Sequence, residues 1–99
     1  MTFLQIVELE IDAGRYAEAQ ALEVEWWTRT EGERTVIRNT WCQDHSDPDH
    51  YFTIVEFRSY AEAVRNSELP ATHGFALRME QVARSVRYVD LDVLDTRES

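Results

Sequence analysis

Glu23 is the residue in this chain whose surroundings point most directly to chemistry. If residues 15–31 are helical, it projects between Trp26 and Trp27, with Tyr16 widening the same apolar sector. A carboxyl desolvated there has a raised pKa and can act as a general base or acid. The competing reading has it tilt to the rim or pair with an arginine. His73 is the second candidate catalytic residue, because histidine titrates near neutral pH. Its helical angle lies away from the Phe75, Met79 and Val82 stripe and next to Glu80, which also suits a surface histidine. Asn39, Trp41, Tyr51, Thr53 and Arg87, with Gln5, are the residues best able to line a space between helices and sheet. Trp26 and Phe57 complete the candidate binding set. Aromatic walls with a few hydrogen-bonding groups suit a planar, partly polar ligand.

Cys42, Asp44, His45, Asp47, Asp49 and His50 crowd into one hairpin, and all are able to bind metal. Their spacing matches no zinc pattern and only one thiol is present, so the reading is a solvated turn and no metal site. Glu8, Glu10, Glu56, Asp90 and Asp92 are expected on the sheet face away from the helices, beside Arg38 and Arg58. Like charges on neighbouring strands need cations, and arginine pairs supply them. The three glycines, Gly14, Gly32 and Gly74, stand apart, so no phosphate-binding loop is present and no nucleotide cofactor is expected.

These residues must be placed by a small set of elements. Phe3 to Ile11 alternates as a strand, and Asp12-Ala13-Gly14 turns into a helix over 15–31 that Gly32 ends. Thr35 to Gln43 and His50 to Phe57 read as an antiparallel hairpin around a polar turn containing Pro48. Ser59 and Glu62 fit a capping box, and Pro70 suits the first turn of a helix running to about Ala83. Ser85 to Leu94 is the last strand. The order β-α-β-β-α-β, with its second helix broken at residues 66–70, predicts a single ferredoxin-like α+β domain over 1–99, with a four-stranded antiparallel sheet.

Composition narrows the partners. The chain has 99 residues and a net charge of −9, and all ten of its basic residues are arginine. Such acidity excludes nucleic acid and anionic membrane as partners, since both require basic patches. No export or spanning segment is visible, and a single cysteine suits a reducing compartment, so a cytoplasmic location is expected. Helices cover only one sheet face, yet the other carries Leu4, Ile6, Val36, Phe52 and Ile54. An apolar face of this kind is expected to be covered by a second copy, giving a homodimer whose two sheets close a barrel.

The opening strand into Asp12-Ala13-Gly14, the run Tyr51-Phe52-Thr53-Ile54-Val55-Glu56-Phe57-Arg58-Ser59-Tyr60-Ala61-Glu62-Ala63, and Ser67-Glu68-Leu69-Pro70 together resemble the dimeric α+β barrel superfamily, and within it the antibiotic-biosynthesis-monooxygenase-like proteins. The resemblance spans about residues 3–94. It implies a small-molecule site between the helices and the sheet of each subunit, and relatives that include cofactor-free oxygenases of polycyclic aromatics, haem-degrading oxygenases and isomerases. Where the quinone-forming oxygenases carry Asn and Trp on the third strand, this chain has Thr53 and Phe57. Where the haem-degrading branch has Asn on the first strand, it has Val7; the histidine early in that branch's last helix falls about one residue from His73. The function expected is a cofactor-independent monooxygenase acting on an aromatic or polyketide-like small molecule, with Glu23 or His73 as base. The alternative is a non-catalytic small-molecule-binding or structural dimer. Haem degradation ranks last.

Overall fold

In the computed structural model, which describes residues 2–99, strand β1 (Phe3–Glu10) passes through a short 3-10 turn into helix α1 (Tyr16–Arg29). The hairpin β2 (Arg38–Asp44) and β3 (Asp47–Phe57) follows, then helices α2 (Tyr60–Ser67) and α3 (Pro70–Val82), and finally β4 (Ser85–Asp92). The sheet order is β2-β3-β1-β4 with every neighbouring pair antiparallel, which is the expected ferredoxin-like α+β arrangement.

Local chemistry sets the element ends. The Thr30 hydroxyl donates to the Trp26 carbonyl at 2.8 Å as α1 closes. Gly32 follows at φ +82°, a left-handed conformation that disfavours any residue with a Cβ. Ser59 Oγ accepts from the Glu62 N–H at 3.2 Å, one half of the expected capping box. The other half is absent from the described contacts, because the Glu62 carboxylate takes Arg65 at 3.0 Å instead. Pro70 opens α3, where its missing N–H leaves no helical bond unmade.

The hairpin turn is tighter than expected. Asp44 pairs directly with Asp47 across His45 and Ser46, so β3 begins three residues before His50. A bulge at Gln43/Asp44 and the end of β1 pairing at His50 leave Pro48 outside the regular ladder, where a missing N–H is tolerated.

Register assigns the faces. Toward the helices point Phe3, Gln5, Val7 and Leu9 of β1, with Phe57, Val55, Thr53 and Tyr51 opposite them on β3. Asn39 and Trp41 of β2, and Val86 and Tyr88 of β4, share that side. The phase of β4 is thus the reverse of the expected one. Asp90 and Asp92 pair with Gln5 and Phe3 on the helix side, while Arg87, Val89 and Leu91 lie on the open face. A one-residue shift of phase moves every side chain of a strand across the sheet. The usual guide, that the more apolar set faces the helices, fails because the open face is itself apolar.

Two clusters pin the helices down. At one end Leu9, Ile11, Ala19, Tyr51, Met79 and Ala83 form the core, with Tyr16 stacked on Tyr51 at 4.9 Å between ring centroids. At the other end Phe3 packs against Phe57 and, edge-on at 5.4 Å, against Tyr60. Leu4, Ile6, Phe52, Ile54, Val89 and Leu91 make up the apolar part of the sheet face that no helix covers. Among the described residues no helix is long and apolar enough to cross a membrane.

Candidate active site

Between the two clusters, α1 and α3 stand off the sheet and leave a cleft of about 650 Å³, counting the part open to solvent. Gln5, Val7, Asn39, Trp41, Thr53 and Val55 form its floor. Glu23 and Trp26 enter from α1, and Thr72, Phe75, Ala76 and Met79 from α3. The short side chains of Thr72 and Ala76 keep the roof off the floor here, whereas Met79 closes it toward the core. Val86 and Tyr88 complete the wall.

Glu23 is the carboxylate of this cleft. Its Oε1 accepts a short hydrogen bond from Asn39 Nδ2. Burial pushes its pKa above the usual carboxylate range; the Asn39 amide and the nearby Trp41 indole pull the other way without restoring it. Trp41 Nε1 lies close enough to favour the charged carboxylate, yet it is buried and makes no hydrogen bond of good geometry. Asn39 Oδ1 is likewise buried without a partner. By contrast, Trp26 Nε1 donates to Thr72 Oγ1 at 2.9 Å, and Gln5 Nε2 donates to Asp90 Oδ1 at 3.1 Å. A carboxyl with a raised pKa beside a donor and an acceptor can move a proton and hold the anion that forms.

The structure therefore brings Glu23, Trp26, Asn39, Trp41 and Thr53 together and leaves the other candidates apart. His73 is exposed on α3 and lines no part of the cleft. Tyr51 is buried one pair along from Thr53, in the core stack with Tyr16. Phe57 is buried against Phe3 at the far end. Arg87, with its side chain 74% exposed, faces the open side and approaches Glu8 at 3.5 Å; the reversed phase of β4 removes it from the cleft. Trp27, expected beside Glu23, is 40% exposed and carries the Arg34 guanidinium 3.4 Å above its ring. Sequence reasoning missed Thr72, Ala76 and Tyr88. The phase of β4, fixed by Val86 opposite Leu9, was the signal for Tyr88.

The hairpin acids are occupied with the backbone and with His50. Asp44 Oδ1 accepts from the Ser46 N–H at 2.8 Å, and Asp49 Oδ1 from the Ala13 N–H at 2.9 Å. His50 Nδ1 lies 2.9 Å from Asp44 Oδ2, and its Nε2 lies 2.7 Å from Glu8 Oε2. Glu10, Asp47 and His50 bring polar atoms within 4.8 Å of one another, but both ring nitrogens of His50 already face carboxylates. The hydrogen bonds His50 donates, to Asp44 first and then to Glu8, hold its pKa above the ordinary value.

No protein-family model and no curated protein matches the sequence. Solved structures do match it in fold. SnoaB, a cofactor-independent oxygenase from Streptomyces nogalater solved in a mutant form, superposes with a TM-score of 0.81 at 10% identity, over 96% of this chain and 95% of that one. Rv0793 from Mycobacterium tuberculosis gives 0.80 at 15% identity, over 99% and 100%. An antibiotic biosynthesis monooxygenase gives 0.75 at 17% identity, over 94% and 99%. The chain thus has the ferredoxin-like α+β fold of the antibiotic-biosynthesis-monooxygenase-like proteins. At these identities the likeness is one of fold.

Proposed function

We propose that the protein is a cofactor-independent oxygenase of an aromatic or polyketide-like small molecule, bound in the cleft between α1, α3 and the sheet. The observation that carries this reading is Glu23, a half-buried carboxylate of raised pKa set in an otherwise largely apolar cleft and held by Asn39. Glu23 removes a proton from an activated methylene of the substrate. The resulting carbanion gives its electrons to dioxygen and forms a C–O bond as a peroxide, which takes up the proton. Loss of one water then leaves a carbonyl, so that one methylene and one dioxygen become one ketone and one water. The Trp41 indole N–H is the donor near Glu23 that can hold the substrate anion, while Asn39 holds Glu23 itself. His73 has no part in this scheme.

We further propose that the protein works as a homodimer, a second copy covering the apolar sheet face around Ile6, Ile54 and Val89. Oxygen uptake with anthrone, a planar carbon acid, tests the catalytic reading. Glu23→Gln should lower kcat/KM by roughly 10²–10⁴-fold, and His73→Ala should leave it unchanged. Turnover by Glu23→Gln equal to that of the parent overturns it. A ligand-binding dimer without catalysis is the second reading, favoured by Thr53 and Phe57 standing where the resemblance expects Asn and Trp. It predicts thermal stabilisation by the same compound with no oxygen consumed.

A further inference from the structure

Glu23 is a carboxylate that no cation meets. Glu8, Glu10, Glu18, Glu25, Glu56 and Glu62 each face an arginine or a histidine. Glu23 is in no ion pair among the described residues, and the groups that face it, the Asn39 amide and the Trp41 indole, are neutral. No arginine or histidine stands among the residues that line the cleft. Glu23 Oε2 makes no hydrogen bond among the described residues, yet it is not sealed in as Asn39 Oδ1 is. Two charged groups beside the walls are acidic as well: Asp90 holds Gln5 of the floor, and Glu80 lies near Tyr88. The rest of the lining is largely aromatic or aliphatic, with Trp26 and Phe75 5.8 Å apart between ring centroids and Val7, Val55 and Met79 about them. A carboxylate in such surroundings lacks a counter-charge, and aromatic rings attract a positive one.

We infer that the ligand of this cleft is a planar heteroaromatic cation, an N-alkylated ring nitrogen with a methylene attached beside it, for which Glu23 is the counter-ion and, in turnover, the base. Such a ring suits an aromatic lining and brings the missing charge. The proton transfer favours it too. The C–H bond breaks, its electron pair moves into the ring and neutralises the nitrogen, and the proton goes to Glu23. A cation and a carboxylate thus become two neutral groups, which a medium of low dielectric favours. A neutral carbon acid would instead leave an anion, with the Trp41 indole N–H as its nearby donor. An anionic ligand would meet Glu23 and no positive group of the lining. The inference rests on the cleft proposed above as the active site and adds the charge of its ligand.

Calorimetric titration under nitrogen, at mildly alkaline pH so that the carboxyl is ionised, tests the charge preference apart from turnover. The probes are close in shape: 2-ethyl-1-methylquinolinium, the neutral 2-ethyl-1-methylnaphthalene, and the anion 1-methyl-2-naphthoate. The quinolinium should bind about tenfold tighter than the neutral hydrocarbon, the equivalent of about 1.4 kcal/mol, and the anion should bind weakest of the three. Glu23→Gln should bring the quinolinium down to the affinity of the hydrocarbon and leave the hydrocarbon unchanged. Equal binding of quinolinium and hydrocarbon overturns the inference, as does a preference that survives in Glu23→Gln, tightest binding of the anion, or binding by none of the three. The probe series on the unaltered protein stands even if the Glu23 variant fails to fold. Cation-selective binding with no oxygen uptake from either the quinolinium or anthrone would sink the oxygenase reading and leave the charge preference intact. Oxygen uptake from anthrone without that preference would do the reverse.

Discussion

Replacing Asn39 with leucine isolates the contact that makes Glu23 tolerable inside the cleft. The substitution removes the amide that donates to Glu23 Oε1 and leaves the carboxylate as buried as before. A hydrogen bond to a charged group contributes about 1.5–3 kcal/mol, against roughly 0.5–1.5 kcal/mol when both partners are neutral. The loss therefore depends on whether Glu23 is ionised. In the parent, the folded-state pKa of Glu23 lies above the ordinary 4.5, so ionising it works against folding above that folded value. The penalty disappears as pH falls below the unfolded value. In the variant the penalty starts from the same unfolded value but keeps growing to a higher pH, and so ends larger. Above the Glu23 titration the lost hydrogen bond should cost about 1.5–3 kcal/mol. Removal of the unpartnered Asn39 Oδ1 offsets part of this at every pH, so the variant should compare least favourably with the parent above that titration. The gap should narrow as the medium is acidified. Thermal unfolding by circular dichroism across that range, together with Glu23→Gln, is the assay. Glu23→Gln should raise Tm at neutral pH and abolish most of the pH dependence of the Asn39 effect. A Tm difference independent of pH would refute the idea that Asn39 acts through an ionised Glu23.

Leu9→Ala empties a site only 2% exposed between Tyr51, Val86 and α3, and should cost about 3 kcal/mol, or roughly 12–24 °C in Tm; a loss below about 1 kcal/mol would mean the core collapses to fill the gap. His50 sits between two carboxylates, so both ring nitrogens must carry protons to donate. With its folded pKa above 6.5, its stabilising contribution is complete below that value and is lost as pH rises through the folded pKa. Tm should therefore fall across that interval in the parent and not in His50→Gln, and identical curves would disprove the pairing. Ile6→Glu places a charge opposite Ile54 and Val89 on the uncovered face; sedimentation velocity should show a monomer, and a surviving dimer would mean another surface holds the copies together.

What could be read from the sequence follows the strength of the local signals. β1 and β3 alternate cleanly, Pro70 and Ser59 mark helix starts, and these suffice for the order of elements and the antiparallel sheet. Glu23 was visible because a carboxylate inside an aromatic helical sector breaks the pattern around it. The phase of β4 was not, since an edge strand bearing Tyr88, Asp90 and Asp92 toward the helices is half in water on that side and apolar on the other, the inverse of the usual rule. That single inversion sent Arg87 to the wrong face. His73 misled for another reason: one residue on a helix turns the side chain by about 100°, so a position near a known site need not point into it.

The arrangement of β2 against β3 bears on where a chain without the expected Asn and Trp on its third strand carries the few polar groups of its cleft. Trp41 lies directly opposite Thr53, and Asn39 opposite Val55, on the same face and one strand over. Adjacent strands are about 4.8 Å apart, and side chains paired across them meet the same volume. A hydrogen-bonding group moved from β3 to its partner on β2 therefore stays within reach of a ligand on the sheet floor, though approached from a different angle. Glu23, dropping from α1 onto Asn39, fixes which edge of that floor is polar. In this chain the register of the sheet and the short residues of α3 shape the cleft, and β2 supplies the polar groups nearest Glu23.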